Sequence, residues 1–205
     1  IYSKNDNIFF VLRDADAEAE VFTPEVIDAV EALTARAWTI PYATRVDSVT
    51  NYQHSVASGD TIVVADLVRD GAQLSHDELA RLRNTALGEP SLVGNLISAD
   101  GRTAGVNVTI QFPEKDPVEL KEAVAVARAI ADDLRAGYPE LRIGLAGIAM
   151  INNGFVEAGE ADAKTLIPAM YGLILVLSLI GLRSLSGTVV TLIVIALSTV
   201  VALGA

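Results

Sequence analysis

Thr165–Ala205 reads TLIPAMYGLILVLSLIGLRSLSGTVVTLIVIALSTVVALGA, and Arg183 is its one charged residue. Arg183 divides the stretch into two apolar runs, Thr165–Leu182 and Ser184–Ala205. Helices of those lengths extend about 27 and 33 Å at about 1.5 Å per residue. A bilayer's hydrocarbon core is about 30 Å thick. The sequence therefore predicts two transmembrane helices, about 165–182 and 185–205, joined by the tight turn LRSLSG.

Charge is concentrated in the rest of the chain. All 26 Asp and Glu lie at or before Asp162, and of 15 Lys and Arg only Arg183 lies beyond Lys164. The first 164 residues hold 14 basic against 26 acidic side chains, a net −12, while the last 41 carry +1. The mean hydropathy of +0.41 averages two unlike parts. The acidic part is too charged for lipid and long enough for its own core. Its sign argues against nucleic acid, whose phosphates it would repel, and against docking on an anionic leaflet.

Arg183 in the short turn sets the expected orientation: the turn cytoplasmic by the positive-inside rule, the acidic part outside, in a periplasm. The expected location is a cell inner membrane crossed more than once. The expected division is residues 1–160 as an extracytoplasmic α/β domain and 161–205 as the helical pair. The chain begins at Ile1 without a signal peptide, so an exported domain implies an upstream segment and a larger polytopic protein. Cysteine is absent, which removes disulfides, thiol catalysis and Cys-based zinc sites.

The acidic part reads as two β-α-β units. Asn7–Leu12 (NIFFVL) is a buried strand. Thr23 and Pro24 open a helix, as N-cap and first helical residue, whose apolar face holds Val26, Val30, Leu33 and Ala37. Pro41 stops it, and Tyr42–Tyr52 reads as a strand. Gly59–Asp70 reads as a loop carrying TIVVADLV as a strand or extended arm. Ser75 and Glu78 form a capping box. Asn95–Ile97 and Thr103–Phe112 read as a hairpin around Ala99-Asp100-Gly101. Val106, Val108, Ile110 and Phe112 alternate toward one buried face. Asp116 and Pro117 open the longest helix, to about Arg135, and Leu141–Ile148 is the last strand. The fold class expected is α+β: a ferredoxin-like sandwich, helices on one side of a mixed sheet, followed by the two membrane helices. Phe155–Lys164 leads into the first of these.

Five stretches in this order resemble the resistance-nodulation-division (RND) superfamily of transporters, nearest its hydrophobe/amphiphile and lipid exporters. VFTPEVIDAVEALT resembles the first porter helix of that family. RVDSVTNYQHS with GDTIVVADLV resembles its Val-x-Ser-x-Thr-Asn strand and the arm after it. LVGNLISADGRTAGVNVTI resembles its Ser-x-Asp-Gly-x-Thr hairpin. LRIGLAGIAMINNGF resembles the strand leading to the membrane, and GLRSLSGTVVTLIVIALSTVVALGA the short turn and third helix. The resemblance implies the first periplasmic loop with the second and third membrane helices of a proton-driven exporter. It implies hydrophobic, amphiphilic or lipidic substrates. The expected partners are such a substrate, membrane lipid, the remaining helices of the full-length protein and, as an open option, a second copy in a homo-oligomer. The family's proton-relay acids lie on later helices, and Thr165–Ala205 has no Asp, Glu or His. An accessory protein of the same architecture, a protein-secretion helper or a sterol- or lipid-sensing protein without transport, is the alternative.

No residue pattern points to an enzyme, a cofactor or a metal. His54 and His76 lack ligand spacing around them. Gly144-Leu145-Ala146-Gly147 lacks the Lys-Ser/Thr of a phosphate loop. Ser48, Ser55 and Ser58 have no Gly-x-Ser-x-Gly context, and Asp132–Asp133 reads as a solvated helix face. Asn152, Asn153 and Phe155 fall between the last strand and the membrane helix, where a substrate path would open. Their plain alternative is a helix cap and a packing aromatic. Tyr171 reads as an interfacial anchor, and Pro168 as a residue of the span's first turn.

Overall fold

The structure, a computed structural model, describes residues 6–58, 61–68, 70–116 and 118–204. Gly59, Asp60 and Arg69 of the expected loop and Pro117 of the expected helix start lie outside the described residues. Two compact units are present, Ile1–Asn153 and Gly154–Ala205.

The first unit is built on four strands: β1 (Asp6–Asp14), β2 (Ala43–Asp47), β5 (Ala104–Ile110) and β6 (Leu141–Ala146). Their order is β2-β5-β1-β6. β1 pairs antiparallel with both β5 and β6, and β2 antiparallel with β5. This is the strand order of the ferredoxin-like sandwich expected from two β-α-β units. The sheet is antiparallel throughout rather than mixed. The two strands of each β-α-β unit do run parallel, but a strand of the other unit intervenes. β5 separates β1 from β2, and β1 separates β5 from β6.

One face of the sheet is apolar. Ile8, Phe10 and Leu12 of β1 and Val106, Val108 and Ile110 of β5 are fully buried. Helices α1 (Pro24–Ala37) and α3 (Val118–Gly137) cover this face and touch each other. Thr23 Oγ1 accepts a hydrogen bond from Val26 N at 3.3 Å, and Pro24 occupies the first helical turn. The α1 stripe Val26, Val30, Leu33 and Ala37 is buried as its spacing requires, joined by Ile27. In α3 the buried stripe is Ala123, Val124, Ala127, Ile130, Ala131 and Leu134. Glu119 is also buried, because its carboxylate accepts from the backbone N–H groups of Glu114, Lys115 and Asp116.

Local differences from the expected elements have identifiable causes. The expected strand Tyr42–Tyr52 ends at Asp47. Ser48 N donates to Asn51 Oδ1, and Asn51 Nδ2 donates to Val46 O, so side chains replace the ladder bonds there. β3 (Gln53–Ser58) and β4 (Thr61–Asp66) form a separate two-stranded sheet, so most of the expected TIVVADLV arm is a strand. α2 (His76–Gly88) carries the expected capping box, with Ser75 Oγ accepting from Glu78 N and Ser75 N donating to Glu78 Oε2. The turn at 98–103 is present, with Gly101 at φ +68°. Its first arm is not a strand: Ile97 forms isolated bridges to Ala104 and Val93, because Leu92 O accepts from Asn95, Leu96 and Ile97 in a helical bend.

β6 ends two residues before the expected Ile148. Gly147, at φ +104°, redirects the chain, and α4 runs from Ile148 to Leu182. Pro168 therefore lies well inside a helix rather than in its first turn. α5 (Leu185–Gly204) follows Arg183. Ser184 caps α5: Ser184 Oγ accepts from Gly187 N at 3.4 Å. Among the described residues, one stretch, Ile148–Gly181, is long and apolar enough to cross a membrane. None of its most apolar window is buried against the described residues of this chain. Ser186–Ile195 is a shorter apolar segment within α5.

Candidate functional site

The second face of the sheet is polar where the first is apolar. Asn7 and Phe9 alternate with Ile8 and Phe10 on β1, and Asn107 alternates with Val106 and Val108 on β5. Phe9 and Asn107 are register partners. Arg45 and Asp47 supply the β2 edge. Tyr52 and the bend Ser91–Leu96 form the opposite wall. Together these residues enclose a cleft of about 480 Å³ within the first unit. Clefts of roughly 300–1,000 Å³ are the size that holds small ligands.

The cleft's charges cancel. Arg45 Nε donates to Asp47 Oδ1 at 2.7 Å, leaving one cation and one anion already joined. The remaining polar atoms are uncharged: the Asn7, Asn95 and Asn107 amides and the Ser91 and Tyr52 hydroxyls, the latter two 3.3 Å apart. Asn7 Nδ2 donates to Asn107 Oδ1 at 2.9 Å. Phe9, Leu92 and Leu96 contribute the apolar surface. Such a lining suits a neutral molecule with apolar and hydrogen-bonding parts, and the Ser91 hydroxyl at its wall also donates to Glu89 Oε1 at 3.0 Å.

Asn152, Asn153 and Phe155 all lie inside α4, so neither asparagine caps it. Gly147 precedes the helix, and the side chain that caps Ile148 N is Asn7, whose Oδ1 accepts at 3.1 Å. Asn152 is half-buried, Asn153 is 2 % exposed and Phe155 is 74 % exposed. A helix places Asn153 and Phe155 about 200° apart, so the three do not share one face. None of them lines the cleft.

The other tempting residues have structural roles. His76 is exposed at the start of α2, and the side chain of His54 lies outside the description. Asp133 pairs with Arg36 at 2.6 Å and Asp132 with Arg135 at 2.5 Å, both on the solvated side of the helices. Ser48, 1 % exposed, shares hydrogen bonds with Thr50 and Asn51. Among the described residues no group of three or more His, Asp or Glu could hold a metal ion. Sequence reading missed Asn7, Asn107 and Tyr52. The outward positions of NIFF and GVNV carried the only signal, polar and aromatic residues alternating with a buried set.

A porter-like α+β unit followed by an apolar helix of membrane-spanning length defines a class of membrane protein. The chain belongs to the MMPL family, which it matches over residues 16–205. It is thus a membrane transporter-related protein, consistent with the RND resemblance. A comparison with curated proteins finds no match.

Proposed function

We propose that this chain is a segment of a membrane exporter of hydrophobic, amphiphilic or lipidic molecules. The observation that carries the reading is the family match over residues 16–205 on a chain in which one helix, α4, starts at the end of the porter-like sheet and becomes apolar. The acidic unit lies outside a cell inner membrane, in a periplasm, and the Arg183 turn lies in the cytoplasm. α5, with 20 residues, is the second span, about 30 Å long. Of the sequence candidates Asn152, Asn153 and Phe155, the exposed Phe155 is the one a passing substrate can touch.

Export is driven by protons relayed elsewhere in the full-length protein. No Asp, Glu or His occurs between Thr165 and Ala205, and an ionisable side chain within the membrane is the usual mark of a proton relay. The test is export of a lipophilic dye, Nile red, from cells carrying the full-length protein, with Phe155→Trp and Phe155→Ala at the exposed position. Export should fall while protein level holds. Neutralising a membrane-embedded acid on a later helix should abolish it. Undiminished export after removal of every such acid would overturn proton coupling. A full-length protein that never exports, yet is required for secretion or lipid sensing, would establish the accessory role instead.

A further inference from the structure

We propose that Asn7 is a positioning residue that couples the cleft face of the sheet to the start of α4; this rests on the exporter reading above. Gly147, the residue before the helix, has no side chain with which to cap it. The first helical amide, Ile148 N, is one of the groups that a helix cannot satisfy internally. It donates to Asn7 Oδ1 across the sheet edge, at 3.1 Å. The helix's own ladder begins with Ile151 N donating to Gly147 O. Asn7 also abuts the turn through its backbone. A Cβ on Gly147 would stand 2.5 Å from Asn7 O and 3.0 Å from Asn7 C. Side chain and main chain of one β1 residue thus fix the place where α4 begins.

The orientation of the cap is set from the cleft. An asparagine amide presents an acceptor at one end and a donor at the other. Asn7 Nδ2 is committed to Asn107 Oδ1 at 2.9 Å, which leaves Oδ1 facing Ile148 N. Both asparagines line the cleft. A ligand hydroxyl or amide N–H that displaces Asn7 Nδ2 from Asn107 Oδ1, rather than sharing that oxygen's second lone pair, frees the Asn7 amide. The Asn7 amide can then turn and set its donor against the Ile148 donor, which uncaps the helix. An uncharged ligand with a hydrogen-bond donor would therefore loosen the first turn of the helix that leads to the membrane. A purely apolar occupant of the cleft would not.

The experiment uses the full-length protein in nanodiscs and in cells, with Asn107→Val, Asn7→Leu and Asn7→Asp. Amide hydrogen exchange is read at Ile148–Ile151, and Nile red export is read against dye concentration. Asn107→Val leaves the cap atom in place but frees its orientation, and Asn7→Leu removes it. Both should raise exchange at Ile148 about fivefold, the size of a lost cap, and lower the maximal export rate. Asn7→Asp keeps an acceptor for Ile148 N and can accept from the Asn107 amide nitrogen once that amide turns. It should restore both readouts. Unchanged exchange in Asn107→Val overturns the link. Raised exchange with export at the parental rate overturns the coupling and leaves a structural cap. If the parent exports no dye above the empty-vector control, the exporter reading fails, and the exchange measurement alone still decides whether Asn107 orients Asn7.

Discussion

The ring of Phe9 occupies the space above Gly105 on the neighbouring strand: a Cβ on Gly105 would lie 2.2 Å from Phe9 Cζ. The two are diagonal neighbours on the open face, Phe9 opposite Asn107 and Gly105 opposite Val11. The glycine lets the ring lie against the sheet and form the floor of the cleft. Gly105→Ala should therefore destabilise the protein by about 1–3 kcal/mol, the usual cost of overpacking. Phe9→Ala should remove most of that penalty, so that the double variant is more stable than the sum of the singles. Urea denaturation of the four members of the cycle measures this coupling.

Val108→Asp should unfold the α/β unit. Val108 is fully buried at the centre of the sheet, opposite Ile8 on one side and Val46 on the other. An unpaired carboxylate there costs several kcal/mol, a large part of a domain's total stability of about 5–15 kcal/mol. Loss of the cooperative thermal transition is the expected result. A transition like the parent's would show that this face is not the core.

Tyr138 ties the end of α3 to α1. Burial, followed by the hydrogen bond that its hydroxyl donates to Asp28 Oδ2, pushes its pKa from the ordinary 10 up to about 12. A proton held more tightly in the folded state contributes stability that is fully present below pH 10 and is lost as the pH rises through about 12. Tyr138→Phe should be less stable than the parent at neutral pH. The gap should close between pH 10 and 12, as read by urea midpoints. A gap independent of pH across that window would separate the packing role of Tyr138 from its titration.

Residues 1–205 contain no cysteine, so introduced thiols report topology once any cysteines elsewhere in the full-length protein are replaced. In the full-length protein in intact cells, a single cysteine replacing Ser184 should resist an impermeant thiol reagent, and one replacing Ala99 should react. Both positions are exposed in the structure, so protection at 184 reports membrane sidedness rather than burial. The opposite labelling pattern would reverse the orientation.

The sandwich was legible in the sequence because each element carried its own period. NIFFVL is an apolar run of β-formers, VNVTI alternates, TPEVIDAV is capped and SHDE is a capping box, and each signal matches its element in the structure. Where side chains competed with the backbone, local reading failed. The Ser48–Asn51 turn cut an expected strand short, and Leu92 O drew Asn95–Ile97 out of the expected hairpin. The start of α4 was misplaced because its cap comes from Asn7, 141 residues earlier in the chain. No pattern confined to LAGIAMINN could reveal that. The cleft was hidden for the same reason. Its walls come from β1, β2, β5 and the 91–96 bend, which meet only once the strand order is known.

That strand order also sets a timetable for biosynthesis. β1 leaves the ribosome before the other strands of its sheet, yet its neighbours β5 and β6 begin at Ala104 and Leu141. At roughly 5–20 residues per second of synthesis, β1 waits on the order of 5–20 seconds with both edges open, carrying the apolar NIFFVL segment. α1 can form in that interval but has no sheet to rest on. Closure comes late and in two steps, when β5 enters between β2 and β1 and β6 then covers the other edge of β1. The newborn chain is thus most exposed to misassociation in the interval before β5 and β6 emerge, and that is when a chaperone would have most to protect.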